Sequence, residues 1–184
     1  MPVDPSAAFR LIREDDMDNS AVQGFVCGDE EWEDKVATFL RSGEALREQQ
    51  DKKARSQTLL YCANNGEGEL IGFVNVVKRK VGYPLYHGDP RISCFLITWL
   101  AIHTTYHRQG YASAMLEALV ITAVAANVDS LYLLVDARNI AAIRLYQKFG
   151  FVAFADAELH VDKDDGSKNL RMIRLLRDVP VRME

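Results

Sequence analysis

The run Leu100-Ala101-Ile102-His103-Thr104-Thr105-Tyr106-His107-Arg108-Gln109-Gly110-Tyr111-Ala112-Ser113 joins an apolar stretch to the start of a helix-forming one. Such a junction binds anions. Up to about four backbone N–H groups at a helix start lack internal partners, and the helix dipole adds roughly half a positive charge there, which suits a pyrophosphate. Gly110 and Ala112 keep side chains out of its path. Small residues also serve packing at strand-to-helix turns, so the pattern needs a second one beside it. That second run is Val135-Asp136-Ala137-Arg138-Asn139-Ile140-Ala141-Ala142-Ile143-Arg144-Leu145-Tyr146-Gln147-Lys148-Phe149-Gly150-Phe151. Its phenol, Tyr146, shares one face of an amphipathic helix with Ala142 and Phe149, so packing stands as the alternative to chemistry there.

The elements around these runs follow from periodicity. Ala8 to Arg13 reads as an opening strand, and Asp29 to Gln50 as helix, with Trp32, Val36, Phe39 and Leu40 at i, i+4, i+7 and i+8 and a break at Gly43. Gln57 to Ala63 and Leu70 to Val77 flank Asn64-Asn65-Gly66-Glu67-Gly68-Glu69 and predict a hairpin. Gly82, Pro84, Gly88 and Pro90 make Arg79 to Arg91 a loop. Ile92 to Ile102, almost continuously apolar, reads as a strand covered on both faces. A turn at His103 to Gln109 leads to a helix from Gly110, then to the strand Ser130 to Asp136, an order that fits a parallel crossover. The helix Asn139 to Phe149 stops at Gly150 before a strand at Phe151 to Ala155. Asp156 to Asn169 reads as surface loop, and Leu170 to Leu176 as the last strand.

With 184 residues the chain fits a single domain spanning residues 1 to 184. Hydrophobic residues make up 48% and charged ones 26%, a balance that folds rather than staying disordered. A net charge of −4 supplies no global pull toward phosphate backbones or anionic membranes. The first residues lack a basic segment followed by an apolar core, and no run approaches the ~20 apolar residues of a membrane span, which predicts a cytoplasmic protein without membrane association. Cys27, Cys62 and Cys94 form no CxxC pair and are expected to be buried free thiols.

Taken together, the two runs resemble the GNAT superfamily of acetyl-CoA-dependent N-acetyltransferases. The resemblance covers about residues 8 to 176. It implies an α/β (α+β) fold: a central mixed, twisted sheet of about six to seven strands, with a V-shaped splay at the cofactor strand and about four flanking helices. It also implies acetyl-CoA as acyl donor, without a metal. Leu100, Ala101 and Ile102 would pair with pantetheine, and His107, Arg108, Gln109, Gly110, Tyr111, Ala112 and Ser113 would surround the pyrophosphate. His107 stands where the family motif has Arg or Gln, so a contact made by that side chain is in doubt while backbone contacts survive. Asn139 matches the Asn beside pantetheine, Ala142 lies on the same helix, and Tyr146 matches the general acid.

Forming an amide from a thioester requires a free amine, a polarised carbonyl and a proton for the departing thiolate. The resemblance gives the second task to the backbone N–H of Ile102, a fixed donor in a dry site. It gives the third to Tyr146, whose phenol near pKa ~10 suits a thiolate of about 8.5 or above. No Asp or Glu lies between Ser93 and Ile102, where many family members carry a base. Freeing a lysine-like amine at pH 7 costs about 4.6 kcal/mol, against about 1.1 for an α-amine, which inclines the reading toward an acidic amine. His87, His103, Glu30 and Asp136 remain as bases. Acceptor choice is expected to lie with Gly24 to Arg55, Arg79 to Arg91 and Asp156 to Asn169, lined by Tyr83, Tyr86 and His87.

Three functions stay open. The first acetylates a primary amine of a small molecule, peptide or protein. The second is the toxin-type GNAT enzyme acting on aminoacyl-tRNA, which Phe25-Val26-Cys27-Gly28, the helix ending near Phe39-Leu40 and the Thr58-containing strand resemble. Only that reading brings a nucleic acid and an antitoxin as partners, and the clusters Lys52-Lys53-Arg55, Lys78-Arg79-Lys80 and Arg138-Arg144-Lys148 are small for it. The third is an acetyl-CoA-binding module without turnover. A homodimer is compatible with each.

Overall fold

Gly43 breaks the first long helical run where the sequence predicted, since it sits at φ +76°, a left-handed conformation that glycine adopts without a Cβ clash. In the computed structural model, which describes residues 8–28, 30–51, 56–62, 68–80, 93–153, 160–161 and 168–177, that run becomes α2 (Glu30–Arg41) and α3 (Glu44–Gln50). Before them lie β1 (Ala8–Leu11), a 3-10 turn at Glu14–Asp18 and the one-turn helix α1 (Ser20–Gln23), which periodicity is too short to reveal. Asn19 caps α1 by accepting from the Ala21 N–H at 2.8 Å. The predicted hairpin is β2 (Ser56–Cys62) paired antiparallel with β3 (Leu70–Lys80).

The continuous apolar run is β4 (Ser93–Ile102), followed by a 3-10 turn at Thr104–Tyr106 and α4 (Tyr111–Ala125). Then come β5 (Ser130–Asp136), α5 (Ile140–Lys148), β6 (Val152–Ala153), β7 (His160–Val161) and β8 (Lys168–Leu175). The eight strands form one sheet in the order β1-β2-β3-β4-β5-β8-β6, with β7 on β8. Pairing of β4 with β5 is parallel and the other described pairings are antiparallel, so the sheet is mixed. It is the fold that the motif resemblance implied, with, among the described residues, eight strands where about six to seven were expected and five helices where about four were. Two boundaries differ from expectation. Asp156 to Asn169 is not wholly loop, since His160 and Val161 pair with Asn169 and Lys168. Polar composition hid that pairing. Most of the Arg79 to Arg91 loop lies outside the described residues, but β3 runs through Arg79 to Lys80.

Contacts divide the chain into two compact units, Met1–Val77 with Trp99–Ala118, and Lys78–Thr98 with Leu119–Glu184. The first is centred on Ile12, Val22, Phe25, Val36, Phe39, Leu40, Leu60 and Phe73, with Trp99 and Ala101 packed against that cluster. The second buries Leu119, Leu131, Leu133, Phe151 and Met172. Cys62 and Cys94 are buried free thiols, whereas Cys27 is only half-buried, because its Sγ reaches out to Glu33. Among the described residues no helix is long and apolar enough to cross a membrane.

Candidate active site

Pairing between β4 and β5 covers Cys94–Ile97 opposite Ser130–Leu133, yet β4 continues to Ile102 and β5 to Asp136. The His103 N–H donates to the Ile71 carbonyl at 2.8 Å. In an antiparallel ladder the bonding edge alternates with each residue, so Ile102 presents its N–H and C=O on the edge away from β3. That is the arrangement a cofactor amide would pair with. Ile102 itself is buried, while Leu100 and Ala101 are half-buried.

Beyond the strand the chain curls tightly. Arg108 and Gly110 both have left-handed backbones, at φ +59° and +91°. Two such residues within three positions make a concave turn of the kind whose N–H groups converge on an anion. The first bond of the helical type is donated by the Ala114 N–H to Gly110 O at 3.1 Å, which leaves the N–H groups of Tyr111, Ala112 and Ser113 at the orphan end of α4. Gly110 suits this turn by its left-handed φ.

This turn is held from several sides by residues of the first unit. Thr104 N–H donates to Val26 O at 3.0 Å, and Gln109 Nε2 donates to Thr105 O at 2.8 Å. Tyr106 donates its hydroxyl to Glu69 at 2.6 Å, and its ring meets Tyr111 edge-on with centroids 5.3 Å apart. Tyr111 in turn packs on Tyr61. His107 is exposed, and its Nε2 donates to the Ile102 carbonyl at 2.9 Å. The residue that departs from the family motif therefore ties the turn back to the last residue of β4. Gly72 makes the strand contact possible: a Cβ there would lie 2.5 Å from Ala101 O and 2.7 Å from Ile102 Cδ1.

In the second unit, Asn139 caps α5, its Oδ1 accepting from the Ala142 N–H at 3.0 Å. That bond uses the Ala142 N–H. Tyr146 is buried, with its ring 5.5 Å from Phe151, and burial pushes its phenol up to about 12. The Phe149 and Phe151 N–H groups both donate to the Tyr146 carbonyl at 3.0 Å, which ends the helix around it.

The candidate bases fare differently. His103 Nδ1 accepts from the Thr105 N–H at 3.3 Å, so its ring caps the turn and the neutral form carries its hydrogen on Nε2. Hydrogen bonds from the Arg138 side chain, followed by the opposing effect of burial and then by the Arg138 N–H and charge, leave the Asp136 carboxyl below its ordinary value, which makes it a weak base. The Glu30 side chain and His87 lie outside the described residues, as do Tyr83 and Tyr86. A carboxylate that motif reading passed over is Glu33. Its Oε2 accepts from the Cys27 and Gly28 N–H groups, both at 3.0 Å, and from Cys27 Sγ at 3.3 Å. Burial acts against these bonds and the nearby Arg41 charge, but they outweigh it and hold the carboxyl below its usual range. Arg41 also donates to the Phe25 carbonyl. Glu33 and Arg41 clasp the α1–α2 loop, and only their i, i+8 spacing on one helix hinted at it.

No match is found among curated proteins. Among solved structures, the ribosomal-protein-S18-alanine N-acetyltransferase of Escherichia coli aligns over 97% of this chain and 99% of its own, at 18% identity and TM-score 0.62. Spermidine N-acetyltransferase from Vibrio cholerae, in complex with CoA and spermine, aligns over 93% and 96% at 17% identity and TM-score 0.62. A mutant of the toxin AtaT, bound to the C-terminus of the antitoxin AtaR and acetyl-CoA, aligns over 93% and 94% at 16% identity and TM-score 0.62. At such identities these likenesses show the fold. The family model described as acetyltransferase (GNAT) family matches residues 19–151, well over half the sequence. The strand, the curled turn and the helix start lie inside that match, and the chain belongs to the GNAT family of acetyltransferases.

Proposed function

We propose that this protein moves the acetyl group of acetyl-CoA to a primary amine by direct attack on the thioester. The observation that carries the reading is the strand-to-helix turn, with left-handed Arg108 and Gly110 ahead of the orphan N–H groups of Tyr111, Ala112 and Ser113. The backbone from Arg108 to Ser113 receives the pyrophosphate, and the outer edge of Leu100 to Ile102 aligns the pantetheine arm. The Ile102 N–H stabilises the oxyanion that forms as the amine nitrogen bonds to the carbonyl carbon. As the C–S bond breaks, Tyr146 gives its proton to the sulfur, an assignment resting on its place in the Asn139 to Phe151 motif. Asn139 contributes its amide NH2 to the pantetheine. His103 and Asp136 are both engaged, which leaves water, His87 or Glu30 to take the amine's proton.

Calorimetric titration with CoA tests the cradle. Gly110→Val should weaken CoA binding at least about tenfold, or about 1.4 kcal/mol. A folded variant with unchanged affinity would remove the pyrophosphate from this turn. Acetylation of aminoacyl-tRNA is the less supported activity because the net charge is −4. Growth arrest on expression, relieved by Tyr146→Phe, would favour it, and CoA binding without turnover on any amine would favour a binding module.

A further inference from the structure

The first unit contains a cleft of about 350 Å³ lined by Asp34, Lys35, Thr38, Phe39, Glu44 and Trp99. Its floor is aromatic and fixed. Phe39 is buried, and its ring lies 5.5 Å from that of Trp99 at an interplanar angle of 29° and 6.1 Å from that of Phe73 at 19°. The carboxylates of Asp34, on α2, and Glu44, at the start of α3, stand over this floor, and among the described residues neither enters a hydrogen bond or ion pair. With Lys35 included, the lining carries a net charge of −1. Aromatic faces flanked by carboxylates recognise a cation on an apolar stem, through the ring quadrupole and through charge.

The cleft has a fixed relation to the reacting edge through one strand. Trp99 precedes Ile102 by three residues on β4, which at about 3.3 Å per residue puts them about 10 Å apart. That separation matters chemically. Carboxylates about 10 Å away bind a charge other than the attacking nitrogen and leave that nitrogen to the reacting edge.

We propose that the cleft of Asp34, Phe39, Glu44 and Trp99 binds a second cationic group of the acceptor, carried on an apolar spacer about 10 Å from the nitrogen that is acetylated. This deepens the acetyltransferase reading and rests on it. Asp34 and Glu44 supply the counter-charge and Trp99 covers the spacer, so these residues set acceptor specificity without touching the thioester.

The test uses the full-length protein loaded with CoA, with diaminoheptane and heptylamine as probes of equal chain length that differ in one charge. Calorimetry and acetylation kinetics should both favour the diamine by at least about tenfold. In the Asp34→Asn, Glu44→Gln double variant, Kd and KM for the diamine should rise at least about tenfold, with values for heptylamine, the kcat and CoA affinity unchanged. Both substitutions are isosteric, Asp34 is exposed and Glu44 half-buried, and a urea unfolding curve of the double variant that matches wild type keeps folding out of the result. Equal affinity for the two probes, absent diamine binding, or a double variant that shifts both probes alike would overturn the proposal while CoA binding stands. Failure of the wild-type protein to bind CoA would overturn the acetyltransferase reading itself.

Discussion

At position 146 a single oxygen divides two roles. Tyr146→Phe keeps the ring against Phe151, so fold and CoA affinity should persist while turnover falls about 10²–10⁴-fold if the phenol protonates the leaving sulfur. Near-native turnover with the true acceptor would return Tyr146 to packing. Its pKa also has a sign to test. The neutral phenol is the useful form, and burial moves its loss up to about 12, so Tyr146 should impose no alkaline limb on kcat/KM below about pH 10. Any rise near neutrality then reports the acceptor amine. The same shift is a stability statement. A phenol that titrates near ~10 in the unfolded chain and about 12 in the fold contributes stability that is present below pH ~10 and lost as pH rises toward 12. Cys94, pushed by burial to about 11, adds a loss between about pH 9 and 11. Urea unfolding across that range should show wild-type stability falling, and Tyr146→Phe should fall less.

Among the elements, β4 and the N-terminus of α4 depend on how closely β3 approaches. Gly72 has no room for a Cβ, because the nearest atom, Ala101 O, belongs to backbone that cannot rotate away. Gly72→Ala should therefore push Ala101 and Ile102 outward, cost about 1–3 kcal/mol in urea unfolding and weaken CoA binding together. A variant as stable as wild type would show that the strands part without cost. His107 links the same elements from the other side through the Ile102 carbonyl. His107→Ala should raise the CoA Kd by a few fold with little change in kcat, since a positioning bond is lost and no reacting atom is touched; an unchanged Kd would leave His107 without a part in the cradle.

For the whole molecule, the boundary between the two compact units cuts through continuous elements: β3 after Val77, β4 after Thr98 and α4 after Ala118. The chain should unfold as one domain, with far-UV circular dichroism and tryptophan fluorescence giving coincident urea transitions. Two separated transitions would instead make the units independent. The net charge of −4 acts at this scale too, and tRNA retention should be negligible at physiological salt.

Much of the order of elements was legible because their signals are local. A break at Gly43, a strand over Ser130–Asp136 and a helix from about Asn139 each depend on a few neighbouring residues, and each lies where the local pattern put it. The two motifs were legible for the same reason: a strand-to-helix turn and a helix start are built from adjacent backbone groups. Tertiary structure decided the rest. That the Ile102 N–H is directed away from β3 follows from the His103–Ile71 bond across 32 residues, and no spacing announces it. Glu33 became a clasp because the α1–α2 loop returns to α2, whereas the His103 cap is a local bond to the Thr105 N–H. The cleft over Phe39 and Trp99 exists because α2, α3 and β4, distant in sequence, pack on one core, and packing is a property of the folded chain that local sequence does not encode.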